Sequence, residues 1–224
     1  LKRGTLHADE TPVPQLDPGS GKTKRAYLWA YRSNDLEEGS RIIVFDYRGG
    51  RSGEHARQFL GNWQGYLMVD DYGGYKALFT AARQEPCLEL GCWAHARRKF
   101  FDLHQANASP MALEALTRIG QLYQVEQQGE ALSIEARLQL RREQSQPVLD
   151  ALHEWLIQTR IKTANGGGSA KALDYTLKRW PVLIRYAETG HLPIDNNPVE
   201  NTIRPIALGK KNWLSAGSER AGQR

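Results

Sequence analysis

Residues Gly65–Tyr75 read GYLMVDDYGGY: an apolar run that stops at two aspartates and is followed by a glycine pair. A short apolar run bounded by turn residues is a buried strand, and one that ends in carboxylates surfaces at its C-terminal end. What lies on either side decides how that strand is used.

Upstream, three segments read as strands. TLHADETPV (Thr5–Val13) alternates loosely and carries no helix signal, while AYLWAYRS (Ala26–Ser33) and RIIVFDYR (Arg41–Arg48) are rich in β-branched and aromatic residues between Gly, Asn, Asp and Ser. SGEHARQFLGNW then predicts a helix, with Ser52 as cap and Ala56, Phe59 and Leu60 at helical spacing. Downstream, YKALFTAA predicts a short helix and CLELGCWAH a fifth strand. The order β-β-β-α-β-α-β belongs to an α/β layer fold with a mixed sheet.

From about Ala94 to Arg160 the pattern becomes helical. AHARRKFFDLH, the segment from Ser109 with Pro110 at its first helical position, SIEARLQLRREQ and QPVLDALHEWLIQT all carry helical periodicity. Leu113, Leu116 and Tyr123, then Val148, Leu152 and Trp155, are the expected apolar stripes. TANGGGSAK is a loop, and a further helix is expected from about Ala170 to Glu188, interrupted near Trp180-Pro181. The boundaries that follow are a core of residues 1–93, a helical insertion over 94–165, and the rest of the core over 166–224.

Composition bounds the function. The chain has 224 residues, 40% hydrophobic and 25% charged, with a formal charge of +5, which is ordinary for a globular protein with a real core. Its apolar runs are shorter than the roughly 18 to 20 residues that span a bilayer, and LKRGTLHADE has no secretory h-region, so no membrane partner and a cytoplasmic location are expected. Between Lys178 and Arg224 stand eight basic residues against four acids, a surplus of four. Such a region suits a phosphate-backbone partner, and equally a solvated basic surface.

Two local matches are weaker than they look. GSGKT (Gly19–Thr23) resembles the end of a phosphate-binding loop, but position 16 is Leu16 where that motif needs glycine, and the stretch opens a strand; a hairpin turn is expected. Cys87, Cys92 and His95 have the spacing C-x4-C-x2-H without a clear fourth ligand, so buried thiols beside a structural histidine are favoured over zinc.

The acids are informative as a set. Asp9 lies in the first strand segment, Asp70 at the end of the fourth, and Glu200 in IDNNPVENTIRP (Ile194–Pro205), which starts a late helix with Asn197 as expected cap and Pro198 next. Each has a plain structural explanation: Asp9 or Glu10 and Asp70 or Asp71 as turn acids, Glu200 as the acid of a capping box. Together, two strand-borne aspartates and a helix-borne glutamate are the oxygen ligands that hold two magnesium ions for phosphoryl transfer.

HADETP, VDDYGGY, GCWAHARRKF, LKRW and above all LPIDNNPVENTIRPIALGKKNWLSAGS resemble the transposases of the insertion sequence 66 family, bacterial DDE transposases, from about Leu6 to Ser218. The resemblance implies a ribonuclease H-like fold: a mixed five-stranded sheet flanked by helices, with an all-helical insertion between the second and third catalytic acids. It implies Asp9, Asp70 and Glu200 as catalytic and metal-binding residues, with Mg²⁺ as cofactor and Mn²⁺ as substitute. Their task would be DNA strand cleavage at element ends and strand transfer into target DNA, by a homo-oligomer assembled on DNA in the bacterial cytoplasm and nucleoid. Arg204, Lys210, Lys211 and Trp213 are the expected DNA contacts, and Asp71, Asn197, Cys92 and His95 possible auxiliaries. Family members carry flanking segments that this chain lacks, so an isolated catalytic domain is expected. The family commonly has glycine where this chain has Asp71. Two alternatives remain open: a catalytically inactive DNA-binding or oligomerisation module derived from a transposase, and a ribonuclease H-like structure-specific nuclease without strand transfer.

Overall fold

The computed structural model describes residues 4–17, 19–80, 87–213 and 215–223, the side chains of 210–213 excepted. The chain divides into two compact units, one built from residues up to Glu89 and from Asn196 onward, the other from Leu90–Asp195.

The first unit carries the sheet. Its strands are β1 (Thr5–Asp17), β2 (Lys22–Ser33), β3 (Ile43–Arg48), β4 (Tyr66–Val69) and β5 (Leu88–Gly91), the last straddling the division, in the spatial order β3-β2-β1-β4-β5. β1 pairs antiparallel with β2, β2 antiparallel with β3, and β1 parallel with β4. The chain is therefore α/β with a five-stranded mixed sheet, compatible with the expected fold. GSGKT is the hairpin turn: Gly19 (φ 88°) and Gly21 (φ 65°) take the left-handed conformations that reverse β1 into β2.

Successive residues of a strand point to opposite faces, which sorts β1. Leu6 and Ala8 join Trp29, Tyr31, Leu67 and Val69 in a core closed by Ala56 and Leu60 of α1 (Gly53–Leu60) and by Tyr75 and Leu78 of a 3₁₀ helix, Gly73–Phe79. α1 starts where Ser52 accepts the Glu54 N–H, as the sequence predicts. Gly53 is dictated by proximity, since a Cβ there would lie 2.0 Å from the Gly74 carbonyl oxygen. On the opposite face Ala30 packs under Val199 and Ile203 of α7 (Asn197–Trp213). A last short helix, α8 (Glu219–Gly222), follows Ala216, which bridges to β1 beside Gln15.

The second unit is helical: α2 (Trp93–Asn107), α3 (Pro110–Gln128), α4 (Ile134–Leu140), a π turn (Arg141–Ser145), α5 (Gln146–Ile161), α6 (Gly168–Leu183) and a 3₁₀ turn (Ile184–Glu188). Ser109 and Ser133 cap α3 and α4 by accepting the Ala112 and Ala136 N–H groups. The buried stripes differ from expectation. α3 buries Ala112, Ala115, Ile119 and Leu122 while Leu113 is exposed, and α5 buries Leu149, Leu152 and Leu156. On α3 small alanines let the helices approach, and the inward face is shifted by one residue from Leu113, Leu116 and Tyr123; on α5 Leu152 is inward as expected, with Leu149 and Leu156 in place of Val148 and Trp155.

Two further expectations are corrected. Pro181 does not interrupt its helix: it falls in the last turn of α6, where it forfeits its own ladder bond and the chain tightens to 3₁₀ geometry three residues later. Residues 166–195, expected with the sheet, belong to the helical unit, whereas those from Asn196 onward belong to the sheet unit. The Trp93 indole donates to the Leu183 carbonyl at 2.8 Å, Trp180 meets Trp93 edge-on, and His153 stacks on Trp180.

Buried arginines fasten the end of this unit. Arg141 pairs with Glu126 through two nitrogens and donates to the carbonyls of Tyr186 and Leu192. Arg137 donates to those of Gly129, Leu132 and Gly190.

Candidate active site

The parallel register between β1 and β4 matches Thr5 with Tyr66, Leu6 with Leu67 and His7 with Met68. Two residues further along each strand direction are Asp9, within β1, and Asp70, just past the end of β4, so the register carries both onto the same face of neighbouring strands spaced about 4.8 Å apart. β4 ends there because Asp70 turns back: its carboxylate accepts the Tyr72 N–H at 2.8 Å. Between them Asp71 stands at φ 92°, a backbone that favours glycine. The glycine of the family pattern thus has a conformational reason at this position.

Glu200 reaches the same place from the other end of the chain. Ala30 is the cross-strand partner of Asp9, and Val199 and Ile203 of α7 pack on it. The start of α7 is fixed by Asn196, whose side-chain amide donates to the Ala8 carbonyl at 2.9 Å and whose side-chain oxygen lies 3.1 Å from His7 Nδ1. Burial lowers the His7 pKa to about 4, so the ring is neutral near pH 7 and Nδ1–H donates to Asn196. The Glu200 N–H reaches the Asn196 carbonyl, which makes Asn196 the cap and the exposed Asn197 the first residue of the helix. Glu200 accordingly sits one position beyond the capping-box site.

The electrostatics register this convergence. The Asp9 carboxyl is pushed up to about 8, first by burial and then by the charges of Glu10 and Asp70, with Glu200 adding to them and the Glu10 N–H opposing. The carboxylates of Asp9, Asp70 and Glu200 offer hard oxygen donors, the kind a divalent cation of the magnesium type takes.

Glu10 belongs to the opposite face. It is held by the Tyr75 hydroxyl at 2.8 Å and by Arg51 Nε at 2.7 Å, and the Arg51 guanidinium stacks 3.8 Å over the Tyr72 ring. This ion pair braces the Asp70 loop against β1. Neither Asn196 nor Arg51 stands out in the sequence, although His7 and Asn196 flank Asp9 and Glu200 at short range and offered that signal.

Of the other candidates, Arg204 is exposed on α7, and the side chains of Lys210, Lys211 and Trp213 lie outside the described residues. In the helical unit Cys92 is buried before α2 with His95 Nδ1 3.2 Å from its sulfur. Cys87 is buried in the sheet unit, its thiol on the Trp63 carbonyl, and both cysteines are free thiols.

Over residues 1–224 the chain matches the family described as Transposase IS66 family. It belongs to this family. It is also similar to uncharacterized proteins of Sinorhizobium fredii: y4hP and y4qI, each 35% identical over 98% and 97% of the chain, and y4jD, 32% identical over 97%. The chain spans 42 to 44% of the length of these relatives. Among the described residues no helix is long and apolar enough to cross a membrane.

Proposed function

We propose that this member of the transposase family is the catalytic part of a DNA transposase, with a ribonuclease H-like core into which the helical unit Leu90–Asp195 is inserted between the second and third acids. The observation that carries the reading is the strand register that sets Asp9 beside Asp70, with the charge of Glu200 acting on Asp9. Asp9, Asp70 and Glu200 would hold two divalent ions, Mg²⁺ or Mn²⁺, which when bound supply the Lewis acidity for in-line displacement at a phosphodiester.

The chain's own residues set up that displacement. Asp9 gives up its proton as the site is charged, and Asp70 is kept in orientation by the Tyr72 N–H. Asn196 aims the first turn of α7, and so Glu200, at β1. Water attack at the element end frees a 3′-hydroxyl, which then attacks target DNA by the same geometry; most of the protein's contribution is positioning. DNA is the partner, a homo-oligomer on paired ends the working assembly, and the bacterial nucleoid the location.

The test is Mn²⁺-dependent cleavage and joining of labelled element-end DNA by the wild type and by Asp9→Ala, Asp70→Ala and Glu200→Ala. Each substitution is expected to abolish both reactions while folding and DNA binding persist. Cleavage without joined donor and target products would leave a nuclease, and full activity in Glu200→Ala would return that residue to a structural role.

A further inference from the structure

Charge is segregated within the helical unit. α2 and α6 carry the cations Arg97, Arg98, Lys99, Lys171, Lys178 and Arg179 against the acids Asp102 and Asp174, a surplus of four, whereas α3, α4, the π turn and α5 carry five arginines against six acids. Arg179 is buried and the other five cations of α2 and α6 are exposed. Among the described residues none of these five holds an acid, although Arg118, Arg141 and Arg160 on the other helices each do. Like charges gathered this way repel one another, and an anionic partner relieves that repulsion.

The two helices lie side by side and antiparallel. The start of α2 meets the end of α6 where the Trp93 indole donates to the Leu183 carbonyl, and Leu103 Cδ1 lies 3.1 Å from the point where a Cβ on Gly168 would stand. Between these ends the Lys99 ammonium sits 4.3 Å from the centre of the Tyr175 ring. Lys171, Tyr175 and Lys178 follow one another at i, i+4 and i+7, so they share one face of α6. Lys99 therefore crosses from α2 to the side chain that stands between the two lysines. Held over that ring, its charge is in position before a ligand arrives, which lowers the ordering cost of binding.

We propose that this face of α2 and α6 docks duplex DNA by its phosphate backbone, with Lys99, Lys171 and Lys178 as the contacts. Lys171 and Lys178 stand two turns apart, about 10.5 Å at 1.5 Å per residue. That is the rise of about three base pairs at 3.4 Å each, so one duplex can offer a phosphate to both. Exposed lysines suit backbone recognition, whereas protein interfaces are poor in lysine and carry buried aromatic anchors at their centre. The inference rests on the DNA reading of the site and adds to it a contact in the helical unit.

Binding of the full chain to a 16 base-pair DNA duplex, in Ca²⁺ and across 50 to 200 mM salt, tests it. Lys99→Gln/Lys171→Gln/Lys178→Gln is expected to lower the slope of log affinity against log salt by about 2.7, three contacts at about 0.9 each. Over that range the variant should lose about 40-fold less affinity than the wild type. Lys99→Arg/Lys171→Arg/Lys178→Arg should keep the wild-type slope, and so should Arg118→Gln/Arg142→Gln/Lys162→Gln, which removes the same charge elsewhere on the helical unit. Equal slopes in the wild type and the lysine-to-glutamine variant, with an unchanged unfolding midpoint, overturn the surface, and so does an equal drop in the charge-matched control. A poly-glutamate peptide that binds as tightly as the duplex at 150 mM salt also overturns it, since the occupant would then be an acidic chain. A wild type with the lysine-dependent slope that does not cleave in Mn²⁺ keeps the surface and sinks the catalytic reading. Cleavage by the wild type together with equal slopes does the reverse, and a wild type that binds no duplex sinks both.

Discussion

Asn196 donates its side-chain amide to the Ala8 carbonyl at 2.9 Å, tying the residue before α7 to the residue before Asp9. Removing it in Asn196→Ala leaves that carbonyl and the His7 Nδ1–H without their partner in a buried place, at about 1 to 3 kcal/mol for each group. A loss of about 2 to 4 kcal/mol in urea unfolding is expected. The helix start also loses its aim, and a displacement near 1 Å at a catalytic group costs about 100-fold in rate. Strand cleavage should therefore fall by that order at temperatures where the variant is fully folded. Cleavage at the wild-type rate in a destabilised Asn196→Ala would limit the residue to stability.

At φ 92° Asp71 holds a conformation that costs a non-glycine residue about 1 to 3 kcal/mol, against about 0.5 to 1 kcal/mol for the entropy of glycine. Asp71→Gly is expected to stabilise the protein by about 1 kcal/mol, seen as a higher urea midpoint at unchanged slope. A lower midpoint would mean that interactions of the Asp71 carboxylate outweigh the strain.

Much of this was legible because it is local. Ser52, Ser109 with Pro110, and the GSG turn each specify a cap or a reversal through their own backbone chemistry. The three acids could be singled out by residue type and by the ends of their segments. What escaped depends on distant partners. Asn196 and Asn197 are equally good caps in isolation, and only the bonds to Ala8 and His7 select the first. Asp9 and Glu10 differ by which side of β1 they occupy, and that is set by pairing with β2 and β4. The inward face of α3 is hidden in the sequence because Ala112 and Ala115 are weak hydrophobic signals next to Leu113.

Arg141 is fully buried, and its ion pair with Glu126 accompanies bonds to the carbonyls of Tyr186 and Leu192. Arg141→Met strands a carboxylate and the carbonyls of Tyr186, Thr189 and Leu192 together, and breaking one partner of a buried pair costs about 3 to 5 kcal/mol. The expected outcome is that order of loss in chemical denaturation. Glu126→Gln/Arg141→Met, which removes both charges, should recover part of it. No recovery in the double variant would place the whole effect in the carbonyl bonds.

The pH dependence of the metal-free protein follows from Asp9 and His7 with opposite signs. The folded-state pKa of Asp9 is raised from 3.8 to about 8, so between those values the folded state binds a proton that the unfolded chain lacks, and stability falls as pH rises. For His7 it is lowered from 6.5 to about 4, so over that interval the unfolded chain binds the extra proton and stability rises with pH. The two slopes oppose each other from about pH 4 to 6.5. Above 6.5 His7 no longer contributes, and Asp9 lowers stability by up to about 1.4 kcal/mol per pH unit, about 2 kcal/mol by pH 8. Glu10, also raised by burial, acts in the direction of Asp9. Urea unfolding in EDTA at pH 5.5, 6.5, 7.5 and 8.5 should show a flat region and then a decline. Saturating Mg²⁺ should diminish or reverse the decline, because a bound cation favours the ionised carboxylate and its stabilising effect grows as the proton leaves. In Asp9→Asn the decline should shrink in EDTA and respond little to Mg²⁺, since the carboxamide neither titrates in this range nor offers a charged ligand. A decline of the same size in Asp9→Asn would assign the titration to another group.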